Sequence, residues 1–234
     1  ECDIVAEEMS VGDATIFGDY VRVDVAGEGK TSRARLSVGC RCSITSDVTI
    51  NIARPVIIED DVAISPGARL YTHSYWQSVL DGYSATFDGI RLGKNSWIGS
   101  GAQLMPGSSI GEGSTILANS TVTGAVEPET LAGGIPARPI KSRLRQVLDS
   151  TERELLIPRL LDDFFDYLRA RGCTVVSAPD AGNSAWEITI ADDTQVKLVY
   201  GKGDSEAVSV GFNLSETGGP VLDIGTGQVS GPET

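Results

Sequence analysis

From Leu92 onward an aliphatic residue returns every six positions, at Ile98, Leu104, Ile110, Ile116 and Val122. Few folds accept that period. A helix needs apolar residues three and four apart and a simple strand alternates by two, whereas a strict six requires short strands joined by corners, each strand turning one lead side chain inward. Four residues after each lead stands a small or aliphatic residue: Ser96, Ala102, Ser108, Ser114, Ser120 and Val126. The same frame runs through Val5, Val11, Phe17 and Val23, then Val38, Ile44 and Ile50, then Ile58, Ile64 and Leu70, which makes sixteen hexapeptides in all. At three per turn they predict a little over five turns of a triangular coil, each of about 18 residues. The frame slips between Val23 and Val38, by two residues around Arg54 and Pro55, and widely between Leu70 and Leu92. In a solenoid such slips map to loops on the outside.

Composition agrees with a coil of tight corners. Glycine accounts for 27 of 234 residues, well above the usual level of about 7%. A hydrophobic content of 41% is enough to fold without help. A net charge of −13 argues against a nucleic-acid partner. No apolar run approaches the roughly 18 residues that would cross a bilayer, and no signal peptide is recognisable, so a cytoplasmic protein is expected. The chain starts at Glu1 and stops in a Gly-rich polar stretch, which reads as a fragment. Four cysteines, Cys2, Cys40, Cys42 and Cys173, lack metal-ligand spacing. Cys40 and Cys42 are expected as small side chains on a strand in a reducing compartment. No metal is expected.

The stretch LGKNSWIGSGAQLMPGSSIGEGSTILANSTVTGAVEPETLAGGIPARPIK, residues 92 to 141, resembles the coenzyme A-binding end of the hexapeptide-repeat acyltransferases, and the likeness extends over residues 5 to 143. It implies a left-handed parallel β-helix, so the expected fold is mainly β, a β-helix of about five turns followed by the small α+β domain read beyond residue 143. It also implies O-acetyl transfer from acetyl-CoA, with direct attack of the acceptor on the thioester.

The single histidine, His73, stands beside the long interruption at residues 75 to 91, where that family places its base. Histidine is also the side chain suited to taking a hydroxyl proton near neutral pH. The local string LYTHSYWQSVL puts Tyr75 where many relatives carry the histidine, and Tyr75 and Trp76 become acceptor-pocket candidates. By resemblance Trp97, Ser100 and Ala118 line the pantetheine groove. Thr123 belongs to the cofactor set, although Gly124 follows it where many relatives have lysine. The run PARPIKSRLRQVL carries Arg138, Lys141, Arg143 and Arg145 with no acidic residue, and guanidinium groups suit phosphate. The resemblance points to Arg138 and Lys141. The plainer alternatives are corner geometry for Ser100 and Ala118, edge packing for Trp97 and a solvated chain exit for the basic run. The string GSSIGEG belongs to the repeat and makes no phosphate loop. A zinc solenoid needing three histidines is excluded by the one histidine present.

Beyond residue 143 the period changes. Thr151 and Glu154 form a capping-box pattern before an apolar stripe of Ile157, Leu160, Leu161, Phe164, Phe165 and Leu168, a helix that Pro158 should break and Gly172 should end. Strand-like runs follow at residues 173–176, 186–190, 196–200 and 208–214. The expected organisation is a β-helix domain over 1–143, an α+β domain over 144–214, and a polar tail over 215–234 that is extended or mobile. Flat lateral faces and the long loop predict a homotrimer, and the family resemblance implies a carbohydrate or other small-molecule acceptor. Two alternatives stay open: an N-acyltransferase acting on a nucleotide-linked amino sugar, and a catalytically silent trimeric scaffold.

Overall fold

The computed structural model describes residues 2–25 and 33–170, and beyond them the backbone of six further strands between residues 174 and 230. The chain divides into two compact units, residues 1–146 and 147–234.

In the first unit short parallel strands wind through three faces. The opening turn comprises β1 (Asp3–Ile4), β2 (Glu8–Val11) and β3 (Ile16–Phe17). The next holds β4 (Arg22–Asp24), β5 (Arg35–Val38) and β6 (Ser43–Ile44), followed by β7 (Thr49–Asn51), β8 (Val56–Ile58) and β9 (Ala63–Ile64). The fourth turn starts with β10 (Arg69–Leu70), detours through a hairpin of β11 (His73–Ser74) and β12 (Thr86–Phe87), and resumes with β13 (Ile90–Leu92) and β14 (Trp97–Ile98). Then come β15 (Gln103–Leu104), β16 (Ser109–Ile110) and β17 (Thr115–Ile116), and finally β18 (Thr121–Val122), β19 (Ala125–Val126) and β20 (Leu131–Gly134). β21 (Ala137–Lys141) folds back antiparallel on β20. The first face is β1-β4-β7-β10-β15-β18, the second β2-β5-β8-β13-β16-β19 and the third β3-β6-β9-β14-β17-β20-β21.

The period six is thus a coil, and its leads stack in register: Val23 on Ile50 on Leu70 on Leu104 on Val122 along the first face. These side chains are buried and form one continuous core. Each contributes about 1.5–3 kcal/mol of apolar burial. The turns number six rather than a little over five. Val126 is itself a lead, paired with Ile110, and Ala132, paired with Ile116, is another. At the opposite end the lead is Ile4, the partner of Val23, and not Val5.

The slips are confined to one corner. From second face to third and from third to first, leads follow at six throughout, as in Val38, Ile44, Ile50 and Leu92, Ile98, Leu104. Between first and second faces the spacing varies, from Ile50 to Ile58, Leu70 to Leu92 and Val122 to Val126. The two constant corners turn on left-handed residues. Arg41, Asp61, Asn95 and Glu129 form one such column and Tyr20, Asp47 and Asn119 the other. Asp and Asn tolerate this conformation better than most. In both columns the left-handed N–H donates to the coil beneath, Asp61 to the Cys40 carbonyl, Asn95 to that of Asp60 and Asn119 to that of Ser100.

Cys40 and Cys42 sit at a corner, not on a strand as expected. Cys42 fills the small inward position, its thiol donating to the Glu59 carbonyl at 3.0 Å. Burial pushes that thiol up, which makes it inert.

In the second unit α1 (Ser150–Ala170) runs through Pro158 without a break. Its capping box is Asp149 with Glu152, each side chain accepting from the other's backbone N–H, rather than Thr151 with Glu154. An antiparallel meander follows, of β22 (Thr174–Ser177), β23 (Ser184–Thr189), β24 (Gln195–Lys202) and β25 (Val208–Leu214). Within the stretch expected as a tail, β26 (Val221–Leu222) pairs with β27 (Val229–Ser230). Cys173 and Gly172 lie outside the described residues.

Candidate active site

The variable corner collects the groups able to do chemistry. Two residues beyond β10 the insertion opens with β11, whose His73 stands opposite Phe87 of β12. A helical turn at Val79–Asp81, capped by Ser78 and closed by Gly82 in the left-handed region, shapes the tip between them. Tyr75 stacks on Phe87 at 5.1 Å between ring centroids, and His73 lies 5.6 Å from Tyr75 and 6.1 Å from Phe87. The Arg54 guanidinium sits 4.6 Å above the Phe87 ring. Trp76 projects outward, 91% exposed, so of the two acceptor-pocket candidates only Tyr75 borders the imidazole.

His73 is held from below. Its Nδ1 lies 2.8 Å from the side-chain oxygen of Asn51, a residue only 2% exposed at the end of β7. Asn51 Oδ1 also accepts from the buried Thr72 hydroxyl at 2.8 Å. Thr72 Oγ1 in turn accepts the Arg54 N–H at 3.1 Å. The extra residues around Arg54 and Pro55 therefore have a use, since they carry the Arg54 backbone across to the coil above. With Oδ1 an acceptor, the neutral imidazole carries its proton on Nδ1 and keeps its lone pair on Nε2. Asn51 was missed in the sequence because it reads as an ordinary polar residue after a lead. Its one signal is that a slip follows it directly.

The remaining candidates fall on other parts of the coil. Trp97 lies on the third face in β14, its indole N–H donating to Ser65 Oγ at 2.8 Å. Ser100 and Ala118 follow at the corner from third face to first, both exposed, their strands in register with Ile98 on Ile116. Gly99 lets these coils approach, because a Cβ there would meet the Ala118 nitrogen at 2.5 Å. Arg138, opposite Gly133, and Lys141, opposite Leu131, are exposed on β21 at the edge of the same face. Trp97, Ser100, Ala118, Arg138 and Lys141 thus climb one side of the coil. Thr123 does not join them: it follows β18 at the corner that bears His73. Arg145 separates from the basic run as well, pairing with Glu129 at 3.3 Å at the constant corner between the second and third faces. Among the described residues no cluster of His, Cys, Asp or Glu could hold a metal ion, and no helix is long and apolar enough to cross a membrane.

Residues 89–124 match the bacterial transferase hexapeptide model of six repeats. The repeat of that model thus falls on the turns from β13 to β18 of the first unit, whose fold is a left-handed parallel β-helix. Similar proteins include a chloramphenicol acetyltransferase of Morganella morganii, 36% identical over 110 residues, or 47% of this chain and 52% of that protein. The galactoside O-acetyltransferase of Escherichia coli K12 is 34% identical over 99 residues, 42% of this chain and 47% of that protein. The chain therefore spans about half the length of these relatives. Among solved structures, a hexapeptide-repeat acetyltransferase of Vibrio cholerae complexed with acetyl coenzyme A aligns at a TM-score of 0.49 and 27% identity, covering 58% of this chain and 70% of that one.

Proposed function

We propose that the protein is an acetyl-CoA-dependent O-acetyltransferase acting on a hydroxyl of a sugar or similar small molecule, with His73 as general base. The observation that carries this reading is the imidazole held through Nδ1 by Asn51, which leaves Nε2 as the proton acceptor. In the reaction Nε2 takes the proton of the acceptor hydroxyl as its oxygen attacks the thioester carbonyl carbon. The tetrahedral intermediate collapses with cleavage of the carbon–sulfur bond, and the imidazolium returns the proton to the departing thiolate. Backbone N–H groups along the coil edge are suited to stabilising the oxyanion. Tyr75 and Phe87 offer a ring surface for the acceptor, with Trp76 at its margin. Trp97, Ser100 and Ala118 are assigned to the pantetheine arm, with Arg138 and Lys141 on the phosphates.

These groups lie on separate corners of one coil, and Thr123 lies apart from the rest of the cofactor set. A second copy could unite them, and a homotrimer with its cofactor groove shared between subunits is part of the proposal. The loop tip, with Trp76, Val79, Leu80 and Tyr83 exposed, is the surface such a neighbour would cover. A reducing, cytoplasmic setting is part of the same reading. Residues 1–143 form the catalytic module in this reading, 144–214 an accessory α+β domain and 215–234 its polar continuation.

The test is thiol release from acetyl-CoA with a panel of sugars, amino sugars and aromatic alcohols. His73→Ala should lower turnover about 10²-fold or more; unchanged turnover removes the base. A monomeric mass by light scattering with full activity removes the shared groove.

A further inference from the structure

We infer that Asp24, two residues removed from the chemistry, is a positioning residue that sets the tautomer of His73 through Asn51. The inference rests on His73 being the base. An amide's oxygen and nitrogen are nearly the same size, so the orientation of Asn51 is decided by its partners. On one side stands Asp24, whose carboxylate lies 2.8 Å from Asn51 Nδ2 and whose backbone carbonyl lies at 3.4 Å. Both groups can only accept, so Asn51 must turn its NH₂ toward them. Its Oδ1 then faces Thr72 Oγ1 and His73 Nδ1, each at 2.8 Å.

Thr72 favours the same orientation but has an alternative, because its hydroxyl also has the Asn51 backbone carbonyl at 3.1 Å. Asp24 has no proton to offer and no second role in the set. Without the carboxylate the NH₂ keeps only the residue-24 carbonyl at 3.4 Å and Oδ1 keeps the Ala53 N–H, also at 3.4 Å, so the hold is loosened and the carboxamide can turn over to present NH₂ to Nδ1. The imidazole would then accept at Nδ1 and carry its proton on Nε2, the form that cannot deprotonate a hydroxyl there. The loop joining β4 to β5 begins directly after Asp24, so the residue stands on the same variable corner one coil below Asn51.

The chain's one histidine makes the test direct. Protein labelled with [15N]histidine gives a single pair of imidazole nitrogen resonances. At a pH above the imidazole titration the intact protein should show a protonated Nδ1 and an unprotonated Nε2. Asp24→Ala should shift this pattern toward exchange between tautomers. It should also lower kcat roughly tenfold while leaving the KM for acetyl-CoA unchanged. Asp24→Asn, which keeps an oxygen acceptor of similar size, should restore both. A pattern in Asp24→Ala identical to the parent overturns the inference. Should Asp24→Ala not fold, the parent and Asp24→Asn decide, and a protonated Nε2 in either overturns it. Full activity in His73→Ala would remove the base and leave the tautomer result standing, so the two failures are distinguishable.

Discussion

Two corners of the triangle keep step at six residues while the third takes insertions, and the candidate base His73 stands at the third. The constant corners are built by backbone: left-handed residues whose N–H groups bond to the coil below, with glycines where successive coils nearly touch. A residue added there would break hydrogen bonds to the coils above and below. The variable corner adds buried side chains, Asn51 and Thr72, which with Asp24 bridge coils where the spacing changes. Regularity at two corners fixes the strands, so irregularity at the third can be spent on shape.

The sharpest attempt to break this contrast is Gly99→Val, at a constant corner where any Cβ meets the Ala118 nitrogen at 2.5 Å and the Ile116 carbonyl at 2.6 Å. A loss of about 3 kcal/mol is expected in urea unfolding; a midpoint equal to the parent's would mean the corners are not close-packed. Next comes Thr72→Val, which keeps volume but removes the hydroxyl that accepts from the Arg54 N–H and donates to Asn51 Oδ1. About 1–3 kcal/mol should be lost, with turnover reduced as well. Retention of both would show that the variable corner is not held by this hydroxyl.

A smaller effect is expected from Asp61→Asn. Arg41 hydrogen-bonds Asp61 at 2.6 and 2.9 Å, and that bond holds the carboxyl below its usual range. Because the folded value is depressed, the contribution is present above the unfolded value and is lost as pH falls through the folded one. Asp61→Asn should cost roughly 1 kcal/mol at neutral pH and flatten the acid decline below about pH 4. An acid transition identical to the parent's would argue against it. The smallest effect belongs to Gly124→Ala at the variable corner, where a Cβ has nothing within 4 Å. Stability should stay within about 0.5 kcal/mol of the parent, and a larger loss would show that this corner is as tightly constrained as the others.

The coil was legible because one physical event, a lead side chain entering the core, recurs at a fixed interval. It became illegible where the interval changed. Val126 stands four residues after Val122 and looked like a small-position residue, and Ile4 was masked by Val5 beside it. His73 stood out as the single base beside an interruption. Asn51 and Asp24 did not, since they are 22 and 49 positions from it in sequence and meet it only through stacking of coils. The helix cap was misread because Asp149 with Glu152 and Thr151 with Glu154 satisfy the same pattern, and only backbone geometry chooses between them.

The hairpin of β11 and β12 begins and ends on one coil, leaving the first face and re-entering at the second. Its two anchor points are fixed by the stack, whatever lies between. The entropy lost in tethering such a segment grows only with the logarithm of its length, about 0.6 kcal/mol for each doubling. Lengthening or recutting this segment therefore costs far less than moving a single coil, and a chain of this design can reshape the surroundings of its histidine while leaving its core residues as they are.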